Sequence, residues 1–154
     1  MRVQDVIKRK GHEVVVIESA ASIADMLSLM ATHNIGSVVV VDDGRLVGIV
    51  SERDIVHAIT LAEVDIRPHP VHTIMNTEVL VCTVDDDTAD LAATMTEHRI
   101  RHLPVTDEHG KLLAIVSIGD VVKARLDTLQ DERDHLINYV QQEPTGSQRA
   151  GWPH

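Results

Sequence analysis

Phenylalanine is absent from this 154-residue chain, and a single Trp152 and a single Tyr139 leave the aromatic share at 1%. Stacking platforms for single-stranded nucleic acid cannot be built from that, so any bound base has to lie between aliphatic side chains. Cysteine occurs once, at Cys82, which excludes an intramolecular disulfide and a thiolate metal cluster within one chain. No apolar run approaches the ~20 residues that span a bilayer, and the opening residues lack the apolar stretch of a secretory signal. Cations are scarce: fourteen Lys and Arg face 24 Asp and Glu, a formal charge of −10 with histidine neutral. That balance repels duplex DNA and anionic lipid. The expectation is a cytoplasmic protein with neither DNA nor membrane as partner.

What is present is an ordinary globular composition, 44% hydrophobic and 25% charged, enough to bury a core. It also repeats itself. Shifted by 65, residues 13–41 align with 78–106; shifted by 66, residues 42–61 align with 108–127; seventeen of the 49 pairs are identical. Roughly three would be expected by composition, so the chain is a tandem duplication. The one-residue change of shift falls in the turns at 42–44 and 107–110, where an insertion is tolerated.

Both units carry the same order of signals. A short helical start (Val3, Val6, Ile7; Val71, Ile74, Met75) precedes an apolar run of strand type at 14–17 and 79–82. A helix follows, with apolar residues at helical spacing, then a hairpin of two strands, then a closing helix that begins at Ser51 or Ser117. The predicted fold is α+β: two β-α-β-β-α repeats packed sheet to sheet with pseudo-two-fold symmetry, since a run such as 38–41, four valines, needs cover on both faces. The expected organisation is a first repeat over 1–66, a second over 67–126 after a proline-bearing linker, a helical extension over 127–142 and a disordered tail over 143–154. Val122, Leu126, Leu129, Arg133, Leu136 and Val140 alternate four and three along the extension, a heptad seam with one charged break. That seam suits pairing with a second copy or folding back on its own domain.

The chemistry concentrates where a strand runs into the closing helix, at Ser51/Asp54 and again at Ser117/Asp120. A helix start with unpaired N–H groups welcomes a phosphate, and an aspartate one turn in can accept hydrogen bonds from both hydroxyls of a ribose. The competing reading is a capping box, Ser and Asp satisfying each other's backbone. The segments GIVSERD (48–54) and AIVSIGD (114–120), with MATHNIGSVVVV (30–41) and MTEHRIRHLPV (95–105) before the hairpins, resemble the CBS motif. Over roughly residues 1–126 the order resembles a tandem CBS pair, or Bateman module.

That resemblance implies two clefts between the repeats for an adenosine ligand such as AMP, ADP, ATP, NAD(H) or S-adenosylmethionine. It implies that Asp54 and Asp120 hold ribose and Ser51 and Ser117 contact phosphate. The adenine would be gripped near Ile35, Gly36 and Val38, and near Leu103 and Pro104, with Ile118 beside Ser117. Ala114 replaces the usual glycine, and the first repeat lacks the Pro found at 104, which favours the cleft of Pro104 and Asp120. Three extra residues in the first repeat, within the basic stretch 8–12, place Lys10 as a phosphate clamp, with Arg53, Arg101 and His102 as further candidates. Lys8 and Arg9 equally suit a solvated helix end.

Ten histidines show no zinc-enzyme spacing, so no metal is expected, and Asp85, Asp86 and Asp87 read as helix capping. Cys82 lacks a visible base and should be a small buried hydrophobe, and no catalytic residue is expected. The expected function is a non-enzymatic sensor of adenine nucleotide, a homodimer signalling to an effector protein encoded elsewhere. The alternative is a ligand-free oligomerisation or adaptor module.

Overall fold

Residues 1–142 are described here from a computed structural model; the tail expected over 143–154 lies outside them. In the first half, α1 (Val3–Lys10) leads to β1 (Val16–Ile17), α2 (Ile23–His33), a hairpin of β2 (Ser37–Asp42) and β3 (Arg45–Ser51), and α3 (Glu52–Leu61). The second half opens on a 3-10 turn, Val71–Thr73, followed by α4 (Thr88–His98), β4 (His102–Thr106), β5 (Leu112–Ser117) and α5 (Ile118–Gln142).

Local chemistry sets these boundaries. Ser22 Oγ accepts the Asp25 N–H at 3.0 Å and starts α2, while Asn34, at φ 51°, ends it in the left-handed region. Asp87 and Arg99 (φ 55°) do the same for α4. Asp43 and Gly44, at φ 52° and 78°, form the two-residue turn whose twist suits a hairpin, with Asp42 paired to Arg45.

β1 pairs parallel to β2, and β2 antiparallel to β3, a three-stranded sheet. The strand expected over 79–82 shrinks to one bridge, Cys82 to Val105, beside the β4–β5 pair. Pro104 is the cause. Cys82 N–H donates to the Pro104 carbonyl at 2.9 Å and Thr106 N–H to the Cys82 carbonyl at 3.0 Å, but the ladder cannot run further back because proline has no N–H to give. Leu80 and Val81 are consequently exposed, and the sheet of the second half is narrower than that of the first.

The cores are exchanged at their openings. Val3 and Ile7 of α1 pack into the second half's cluster with Leu91, Met95, Leu103 and Val116. Val71, Ile74 and Met75 pack into the first half's cluster with Ile23, Met26, Val38 and Val50. The backbone repeats this symmetry: Val3 N–H donates to Asp86 and Thr88 N–H to Met1, as Val71 N–H donates to Ala21 and Ile23 N–H to His69. The proline-bearing linker is anchored as well, since Ile66 is buried in the first cluster. Where the sheets meet, the hairpin turns pair reciprocally, Leu46 N–H to the Gly110 carbonyl and Leu112 N–H to the Gly44 carbonyl.

Candidate functional site

At both strand-to-helix corners, serine and aspartate satisfy each other. Ser51 Oγ accepts the Asp54 N–H at 3.3 Å, and Asp54 Oδ2 accepts the Ser51 N–H and hydroxyl at 2.8 and 2.9 Å. Ser117 Oγ accepts the Asp120 N–H at 3.1 Å, and Asp120 Oδ2 accepts the Ser117 N–H at 2.9 Å. The capping-box geometry is therefore realised at each. It uses one oxygen of each carboxylate and leaves the other oxygen for further bonds.

A cleft of about 220 Å³ opens between the halves. Val14, Val15, Ile35, Val39 and Ile49 of the first half and Pro104 and Ile115 of the second give it aliphatic walls, and Ser37, Ser117, His102, Glu13 and Lys10 supply the polar groups. Lys10 Nζ donates to the Ile115 carbonyl at 2.8 Å and pairs with Asp120 Oδ2 at 2.5 Å. Behind that pair lies a second cavity of about 90 Å³, lined by Arg9, Lys10, Asp120, Lys123 and Asp127 among others. Arg9 is held on Asp127 at 2.8 Å, so α1 is tied to α5 by two ion pairs.

The electrostatics follow from this packing. Burial works to raise the Asp120 pKa, but the Lys10 ammonium and the Ser117 groups outweigh it and hold the carboxyl below its ordinary value. His102 is held below the usual histidine value by burial first, then by the Lys10 charge, with Asp120 pulling the other way. Burial, with a smaller push from Asp86, raises the Cys82 thiol to about 12, consistent with an inert core residue. No group of three or more His, Cys, Asp or Glu among the described residues is arranged to hold a metal ion.

The CBS domain family model matches the chain twice, over residues 3–61 and 71–127. This chain belongs to the CBS-domain family. A crystal structure of a CBS-domain protein from Agrobacterium tumefaciens is 40% identical, covers 81% of this chain and 99% of its own, and superposes with a TM-score of 0.73. A mitochondrial CBS domain-containing protein of Arabidopsis thaliana is 34% identical over 148 residues, 90% of this chain and 71% of that protein. A CBS domain protein of Pyrobaculum aerophilum, solved in complex with AMP, is 27% identical, with a TM-score of 0.65 over 78% of this chain and 89% of that one.

The CBS pair distributes the residues singled out in its sequence unequally. Lys10, Ile35, His102, Pro104 and Ser117 line the one cleft, with Asp120 reached through Lys10. Ser51, Asp54 and the exposed Arg53 stand at the opposite corner with Gly36, whose carbonyl accepts the Glu52 N–H at 2.9 Å. Arg101 is exposed, and its carbonyl takes the Ile118 N–H at 2.8 Å. Val38 and Leu103 are 1% exposed and belong to the two cores, and Ile118 packs against the second. Sequence reasoning passed over Val39, Ile49 and Ile115. The alternation of a strand puts Ser37 and Val39 on one face and Val38 and Val40 on the other, but four consecutive valines give no polar contrast to show which face is which.

Proposed function

We propose that this CBS pair is a regulatory module that binds an adenine nucleotide (AMP, ADP, ATP or NAD(H)) between its repeats and signals occupancy to another polypeptide. The observation that carries this reading is the aliphatic cleft that ends in Ser117 and in Lys10, the residue through which Asp120 is reached. An adenine without aromatic neighbours fits between Ile35, Val39, Ile49 and Pro104. The Asp120 carboxylate suits ribose hydroxyls, and the start of α5 with Ser117 suits a phosphate. The AMP held by the Pyrobaculum relative supports the ligand class. The reading is non-enzymatic: the ligand acts by its differential affinity for two orientations of the repeats.

The partner we infer for the molecule itself is a second copy. Val122, Leu126, Leu129 and Leu136 form one continuous exposed stripe from the body of the molecule into the extension. Arg133 breaks it once beside Glu132 and Asp134, so an antiparallel second copy brings opposite charges to the break.

Thermal shift against AMP, ATP, NADH and S-adenosylmethionine tests the nucleotide reading. A ligand at a hundred times its Kd adds about 2.7 kcal/mol, roughly 5–10 °C for a chain of this size, and Asp120→Ala should remove the shift. A flat response to all four supports the ligand-free adaptor instead.

A further inference from the structure

Two equivalent isoleucine carbonyls differ in what they bind. The Ile49 carbonyl accepts the Asn76 backbone N–H at 2.9 Å, a bridge that Ile49 N–H returns to the Asn76 carbonyl at 3.0 Å. Sixty-six positions on, the Ile115 carbonyl accepts from the Lys10 ammonium. The three residues added in the first repeat, ahead of its opening strand, thus replace a neutral backbone bridge by a cation, and put that cation on Asp120. The Asp54 side chain has only Ser51 as hydrogen-bond partner among the described residues. The two corners, alike in serine and aspartate, are therefore unlike in charge.

Lys10 lines both the 220 Å³ cleft and the 90 Å³ cavity behind it, whereas Asp120 lines only the second. A ligand entering the cleft meets the ammonium before the carboxylate. The main cleft alone is below the roughly 300 Å³ at which pockets for drug-sized ligands begin, so a nucleotide also needs the space that the Lys10 side chain divides. Lys10 can yield it: its side chain is 31% exposed, so the ammonium stays in reach of water while it moves. Arg9 is engaged on Asp127, so the cation set free when the cleft fills is Lys10.

We propose that Lys10 changes partners on binding: ribose hydroxyls take Asp120, and the displaced ammonium closes on the phosphate of the same ligand. The proposal rests on the nucleotide reading above and adds a selection rule. Bare adenosine must break the pair and leave an ammonium without a counter-charge. A phosphate supplies the new anion, and the sulfonium of S-adenosylmethionine adds repulsion, so the cleft prefers phosphorylated adenosine over both.

Calorimetry of the full chain with adenosine, AMP and S-adenosylmethionine, on wild type, Lys10→Met and Lys10→Gln, is the test, with melting curves to show that each variant is folded. Wild type should bind AMP about tenfold or more tighter than the other two. In both variants adenosine should gain affinity while AMP loses it, bringing the two within about threefold. These opposite movements are something a merely damaged fold cannot produce. An AMP preference that survives in the variants, S-adenosylmethionine binding as tightly as AMP in wild type, or equal losses for adenosine and AMP overturns the exchange and leaves the nucleotide reading standing. No heat from any of the three ligands with wild type overturns both.

Discussion

Gly48 occupies the position that alanine fills in the second repeat, and the surroundings explain the difference. A Cβ at 48 would stand 2.7 Å from Met75 Sδ and 3.1 Å from the Asn76 backbone oxygen, whereas Ala114 is accommodated at 1% exposure. The methionine can swing aside but the backbone oxygen belongs to the bridge with Ile49. Gly48→Ala should cost about 1–3 kcal/mol in urea unfolding, as overpacking does. His102 gives a pH dependence. Its folded pKa lies below the ordinary ~6.5, so the unfolded chain takes up the proton first as pH falls. The contribution to stability is whole above about pH 6.5 and declines below it, ending at the folded value. His102→Gln should therefore lose less stability than wild type between pH 7.5 and 5.5. Asp120, held below its ordinary value, acts in a separate window: its contribution is present above about pH 4 and lost as pH falls through the folded value.

At the scale of elements, α5 is two helices in one. Val121 and Ala124 are buried against the second core, while every side chain described from Leu129 to Gln141 is exposed. A helical stretch of that length is marginal alone in water, so its leucines have to be covered for it to persist. Replacing Leu129 and Leu136 together by Glu should convert a dimer to a monomer in sedimentation velocity without loss of nucleotide binding; a monomeric wild type would contradict the second copy proposed for this face. The elements themselves were largely legible in the sequence: the repeat, the hairpin turns and the serine starts of α3 and α5 are local signals. The missing strand before α4 was not, because the apolar run at 79–82 has the right composition and is stopped by an absent N–H on another strand, at Pro104. Lys10 could be marked as a cation near a cleft from the inserted residues, but its bond to Asp120, 110 positions away, belongs to tertiary structure alone.

Across the whole molecule, spacing shows that Val3 and Ile7, or Val71 and Ile74, share an apolar face, yet it does not say whose core receives that face. Each opening turn crosses to the other half. A cut within the linker therefore does not release two self-sufficient domains. One fragment would keep α1 with its apolar face bare and lack the 71–75 wedge that fills its own interior; the other would be the mirror case. Mixed together, the fragments have reason to find each other again. In the intact chain, any tilt of one half tugs on side chains lodged inside the other, so a shift of either half is felt in both interiors at once.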